Sequence, residues 1–163
     1  MNQDRIKEKL SEKFGPDVLQ FETGAQMSVL VPPEKIIDMC LYLRDDPELK
    51  FDFLSFVGGV DLYPASPRFQ IVYQVYSVPY THRLRLKTRI DETEGNPACI
   101  ESVCSVWMSA NWHERETAEM FGIIFKDHPD PRKLLLPENW QVYPLRKDFP
   151  LMGTEEDTPD LPS

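Results

Sequence analysis

The chain has 163 residues, enough for one domain with its own core plus an appendage and too few for two full domains. Its 18 Lys and Arg face 27 Asp and Glu, a net charge of −9 with no cationic run longer than a dipeptide, which argues against nucleic-acid binding by phosphate neutralisation. The opening "MNQDRIKEKLSEKFG" has neither the apolar stretch of a secretory signal nor the acid-poor look of a transit peptide, and no apolar run approaches the roughly 18 residues of a membrane span.

Residues 2–14 carry Ile6, Leu10 and Phe14 at fourfold spacing, which predicts an amphipathic helix ended by Gly15 and Pro16. "DVLQFETGAQMSVLVP" then offers two short strands around Gly24, a hairpin pattern. Pro33 opens a second helix with Ile36, Ile37, Cys40, Leu41 and Leu43 as its apolar stripe, and Pro47 stops it. The segments "FDFLSFVGGVDLY", "RFQIVYQVYSV" and "HRLRLKTRI" are rich in aromatic and β-branched residues and are parted by turn residues, so they read as an antiparallel meander covered on one face by the helices. Gly58 and Gly59 mark a bulge or a close backbone approach.

"CIESVCSVWMS" is ambiguous between strand and short helix. Cys40, Cys99 and Cys104 are odd in number and sparse, which fits a reduced compartment and buried structural thiols better than a disulfide framework. A third helix is expected from Trp112 to Phe121, with Asn111 and Glu114 as a capping box and Gly122 just past its end. From Lys126 onward prolines crowd the chain and periodicity fails, yet Leu134, Leu135, Leu136, Trp140, Tyr143 and Leu145 need a surface to lie on. Residues 1–125 are therefore expected to form an α+β domain, mainly antiparallel sheet covered by helices, and residues 126–163 an extended Pro-rich C-terminal arm that packs on a partner or wraps its own domain.

The third helix concentrates charge in "NWHERETAEMFG". His113 and Glu114 begin the H-E-x-x-H zinc pattern, but Thr117 stands where its second histidine belongs, and only His82 and His128 remain elsewhere. Glu114 and Glu116 lie about 200° apart around a helix, too far to act as a local acid–base pair. Trp112, Ala118, Met120 and Phe121 spread around the helix with Glu116 between Trp112 and Met120, which predicts an enclosed helix and an enclosed, paired Glu116 whose truncation costs about 3–5 kcal/mol. Arg115 and Glu119 are spaced as an i, i+4 pair, and Arg132 or Arg146 could reach Glu114 or Glu116.

The run "ERETAEMFGIIFKDHPDPRKLL" resembles the signature of the C-type subunit family, homologous to the mitochondrial iron-sulfur protein 3 subunit, of proton-pumping NADH:quinone oxidoreductase, respiratory complex I. The matching positions are Glu114, Arg115, Glu116, Glu119, Met120, Phe121, His128, Arg132, Leu134 and Leu135; Trp112 and "YPLRKDFP" (residues 143–150) also look like family features. The resemblance implies a stand-alone, non-catalytic structural subunit of the hydrophilic peripheral arm, on the cytoplasmic side of the inner (plasma) membrane. It implies no catalytic, metal or cofactor-binding residue on this chain; FMN, iron-sulfur clusters and quinone would belong to partner subunits, the D-type subunit and the cluster-bearing subunits among them. Related membrane-bound complexes that use ferredoxin, F420 or hydrogen carry similar subunits and form the alternative.

Overall fold

A computed structural model describes residues 3–22, 24 and 26–151. The acidic stretch after Leu151 lies outside the described residues. Helix α1 spans Gln3–Phe14 and α2 spans Ile36–Asp45, the latter entered through a 3-10 turn over Pro33–Lys35. Strands β1 (Gln20–Glu22), β2 (Ser28–Leu30), β3 (Phe53–Asp61), β4 (Phe69–Ser77) and β5 (His82–Ile90) form a five-stranded sheet in the order β1-β2-β5-β4-β3. All its pairings are antiparallel except β2 with β5. The fold is thus α+β with a mainly antiparallel sheet, as the alternating segments imply.

Strand β4 shows why the sheet has one dry side. Phe69, Ile71, Tyr73, Val75 and Ser77 are buried and the residues between them are not, which is the period-2 pattern of a strand with a core beneath it. The same side receives Leu84 and Leu86 from β5, and Ile6, Leu10, Ile36, Met39 and Leu43 from the first two helices, in one continuous core. Packing this tight fixes the register, because a slip of one residue would turn every one of these side chains outward.

The ambiguous segment resolves into both possibilities in part. Cys99–Glu101 is strand β6, paired in parallel with β7 (Ile124–Lys126), and the chain then turns through residues 102–109 into α3 (Ala110–Phe121). The indole N–H of Trp107 donates to the Phe51 carbonyl at 3.0 Å and Ser109 Oγ to the Leu54 carbonyl at 2.9 Å, so the entry to α3 is tied to the start of β3. Cys40 and Cys104 are buried free thiols and Cys99 is half-buried.

Of the two readings of the glycine pair, close approach is the one realised, at Gly59. The register shift in β3 falls between Leu54 and Phe56 instead. A Cβ on Gly59 would lie 2.7 Å from Phe121 Cδ2 and 3.1 Å from Thr117 Cγ2, so α3 rests directly on the β3 backbone. We expect Gly59→Ala to destabilise the domain by about 1–3 kcal/mol through overpacking, while Gly24→Ala, which meets open space, leaves the urea midpoint nearly unchanged.

Candidate functional site

The expected capping box does not form. The helix begins at Ala110 after Ser109, with no side-chain cap, and Glu114 is drawn elsewhere. It is fully buried, and its carboxyl accepts from Ser102 Oγ at 2.6 Å and from the Val103 N–H at 2.8 Å, with Cys104 Sγ at 3.5 Å. A buried oxygen pair gains more from donors inside the protein than from the helix's own frayed end, and an unmet buried carboxyl would cost too much. Burial pushes the Glu114 carboxyl up from its ordinary range, more than the Ser102, Val103 and Cys104 donors pull it down.

Cys104, Glu114 and His128 bring one ligand atom each to within 4.8 Å, the grouping of this kind found among the described residues. Its chemistry suits hydrogen bonding rather than ligation. His128 Nδ1 accepts from the Asp130 N–H at 3.0 Å, which places the ring proton on Nε2, 3.1 Å from the Asn111 carbonyl. Neither nitrogen keeps a free lone pair, and burial holds the Cys104 thiol up at about 11. His113, the other half of the zinc-like pattern, faces the Phe56 ring 5.9 Å away and does not join this cluster.

The other buried carboxylate of α3 is Glu119, and its partners are main chain. Its Oε2 accepts from the Leu134 N–H at 3.0 Å and the Leu136 N–H at 3.2 Å, and its Oε1 from the Leu135 N–H at 2.9 Å. Three successive N–H groups curl around one carboxylate, an anion nest. One turn earlier Arg115 reads the preceding carbonyls, with Nε 2.8 Å from the Arg132 oxygen and Nη2 3.1 Å from that of Lys133. Arg115 also pairs with Asp130 at 3.4 Å and lies over the Trp112 ring. The expected Arg115–Glu119 ion pair is therefore replaced by a clamp in which the cation takes carbonyls and the anion takes amides of residues 132–136.

The helical wheel points to Glu116 as the enclosed glutamate, and the structure corrects this. Glu116 is exposed, and so is Trp112 at 62%. Trp112 and Met120 do not mark a buried face, because the indole lies on the outside against Arg115. Arg132 and Arg146 reach neither Glu114 nor Glu116. Arg132 is bidentate to Asp130, at 2.7 and 2.8 Å, on the surface. Leu134 is half-buried and Leu135 exposed, so this stretch is held by its backbone more than by its aliphatic side chains.

A second anchor lies further along. Arg146 Nε donates to the Phe121 carbonyl at 2.7 Å, and its guanidinium pairs with Glu92 and lies over the Phe69 and Tyr143 rings. Gly122 ends α3 at φ 71°, and any Cβ there would strike the Tyr143 ring at 2.5 Å, so this glycine is required both for its left-handed turn and for the strap crossing it. Asp61, at the end of β3, accepts from Arg68 at 2.9 and 3.1 Å, from the Tyr63 N–H and from the Lys147 N–H, both at 2.9 Å. Up to Leu151, the hydrogen bonds of the irregular segment go to this chain's own domain.

With that geometry in view, the comparison with known proteins decides the lineage. The family model of the respiratory-chain NADH dehydrogenase 30 Kd subunit matches residues 29–155. The chain belongs to that family. A relative from Rhizobium etli (strain CIAT 652), the second C-type subunit of its NADH-quinone oxidoreductase, is 43% identical over 148 residues, covering 90% of this chain and 77% of the relative. Among solved structures, the trypsin-resistant fragment (1-134) of Nqo5 matches at TM-score 0.66 and 27% identity, over 80% of this chain and 99% of the fragment. A chain of the membrane-bound sulfane sulfur reductase, an archaeal respiratory membrane complex, matches at TM-score 0.74 and 24% identity, over 91% of this chain and 86% of that one, which speaks for the fold alone. In this member of the 30 Kd subunit family no helix of the described residues is long and apolar enough to cross a membrane.

The two buried anchors give separable expectations. Glu114→Ala strands two buried donors and should cost about 2–5 kcal/mol in chemical unfolding, while Glu116→Ala stays within about 0.5 kcal/mol. Burial raises the Asp61 carboxyl, but Arg68 together with the Lys147 and Tyr63 N–H groups outweighs it and brings the group down to about 2. A depressed carboxylate contributes stability that is present above its unfolded value near 3.8 and lost as pH falls through about 2. Asp61→Asn should therefore lower stability at pH 7 by about 2 kcal/mol, with the two unfolding curves converging as the pH is lowered toward 2.

Proposed function

We propose that this chain is a non-catalytic structural subunit of the hydrophilic peripheral arm of a proton-translocating NADH:quinone oxidoreductase. The enzyme as a whole would carry electrons from NADH through FMN and iron-sulfur clusters to quinone, with those groups held by partner subunits. The chain would lie on the cytoplasmic side of the inner (plasma) membrane, against the D-type subunit and the cluster-bearing subunits. Family membership and the name of its relative support the assembly.

The observation that carries the structural role is how the charged residues of α3 are used. Glu114, Arg115, Glu119 and His128 spend their hydrogen-bonding capacity on this chain's own backbone and side chains, so they set the shape of the segment after α3 and leave little for a substrate. Leu135, Tyr143, Leu145 and Leu151 remain exposed along the irregular segment. Apolar side chains held outward on a braced backbone suit attachment to a neighbouring subunit. An equivalent role in a membrane-bound complex using ferredoxin, F420 or hydrogen is the second reading, favoured only by the shared fold with the sulfane sulfur reductase chain.

Arg115→Ala and Glu119→Ala release the clamp without touching the core. In the native membrane each should reduce the amount of assembled complex several-fold, while the NADH:quinone turnover per assembled complex stays near the wild-type value. Full assembly with lost turnover would argue for a catalytic part instead. Complex that forms and works with the chain deleted would refute the structural role.

A further inference from the structure

The five-stranded sheet has a second face. Residues that alternate with the buried set point away from the core, and among the described residues the helices supply their buried side chains to the other side. On this outer face β3 presents Phe53, Phe56 and Val60, which are 48%, 49% and 40% exposed. Strand β4 presents Gln70, Gln74 and Tyr76, and β5 presents Arg83, Arg85, Lys87 and Arg89 in one row. The face is therefore graded across three strands, from apolar through amide and aromatic to cationic.

The cationic row is unusual in a chain of net charge −9. Neighbours in it stand about 7 Å apart on the same side of one strand, and aligned like charges weaken a sheet. Lys87 is matched by Glu22 at 2.5 Å. Among the described residues Arg83, Arg85 and Arg89 have no carboxylate in ion-pair reach. Arg85 meets the amide oxygens of Gln74 at 3.4 Å and Gln26 at 3.3 Å, Arg89 meets that of Gln70 at 3.4 Å, and Arg83 lies 5.9 Å from the Tyr76 ring. Such long contacts to neutral acceptors orient the guanidinium groups while leaving their charge unmatched. Beside them is a depression of about 370 Å³ lined by Gln26, Phe53, Ser55, Gln74, Tyr76 and Arg83, and the buried Nε2 of Gln26 there has no acceptor.

We infer that this face docks an acidic, amphipathic segment of another subunit, with its apolar side chains along β3 and its carboxylates on the arginines of β5. The size agrees: three nine-residue strands offer roughly 30 Å by 14 Å, the footprint of one helix or strand rather than a whole domain. The charge agrees as well, because a chain this acidic overall is repelled by nucleic acid and by anionic lipid, whereas a short segment interacts chiefly with the local row. Planar guanidinium groups on a rigid strand suit carboxylates, and the adjoining phenylalanines exclude water from them. The inference rests on the chain working inside a multisubunit assembly, as proposed above.

The test places a photocrosslinking benzoylphenylalanine at Tyr76 in the full chain, irradiates the complex purified from the native membrane, and identifies the linked peptide by mass spectrometry. The expected product joins Tyr76→benzoylphenylalanine to a partner segment rich in Asp and Glu. Its yield should fall about tenfold or more when Arg83, Arg85 and Arg89 are all changed to Glu, and persist when they are changed to Lys. A link to residues 152–163 of this chain, to a second copy, to lipid or to a segment without carboxylates would overturn the inference, as would no link at all in complexes that contain the chain. Both outcomes can be read with the single Tyr76 substitution if the arginine variants fail to fold. Absence of the chain from the purified complex would instead refute the assembly role, and this docking with it.

Discussion

The structure after α3 depends on one arrangement, a guanidinium and a carboxylate one helical turn apart that read opposite groups of a single backbone. An irregular, proline-rich segment has main-chain donors and acceptors that no ladder satisfies, and each buried one left unpaired is costly. Arg115 takes carbonyls of residues 132–133 and Glu119 takes the N–H groups of residues 134–136. The helix thus substitutes for a missing strand partner. A neutral pair could do the same with less energy, but charge-assisted hydrogen bonds are about twice as strong, and here they hold a stretch with few buried side chains.

That clamp works only because α3 is itself immobile. Glu114 fastens the helix to the turn after β6, Trp107 and Ser109 fasten its entry to β3, and Gly59 lets Thr117 and Phe121 settle onto the strand backbone. The far end of the segment is held by a separate group of charges. Asp61 gathers Arg68, the Tyr63 N–H and the Lys147 N–H, and Arg146 caps the last carbonyl of α3. The two ends are thereby fastened to the helix and to the sheet edge, and the segment spans the junction between them.

Much of this is legible from the residues, and the failures have physical reasons. The strand β4 alternation and the helical stripes of Ile6 and Leu10 are repeated signals, each residue reinforcing the next, so sheet and core can be read directly. Strands β6 and β7 are three residues long, too short for any periodicity to declare itself. The wheel puts the enclosed carboxylate at the wrong position because it counts Trp112 as inward, while that ring serves as a platform for Arg115 at the surface. Spacing alone gives Glu119 to Arg115. Its real partners are backbone N–H groups, which every non-proline residue carries and which therefore leave no mark in the sequence.

Polar satisfaction is uneven across the molecule, and this unevenness separates structure from interaction. Around α3, buried charge is met within the chain: Glu114 by a hydroxyl and an amide, Glu119 by three amides, Asp61 by an arginine and two amides. On the outer sheet face the opposite holds, since three arginines rest on neutral groups, two of them at the long end of hydrogen bonding, beside exposed phenylalanines. A fold gains nothing from aligning unmatched cations on a strand it has already paired on both sides. The charged helix that draws attention in the sequence is therefore turned inward to shape the chain, and the plainer alternating strand HRLRLKTRI carries the charge that faces outward.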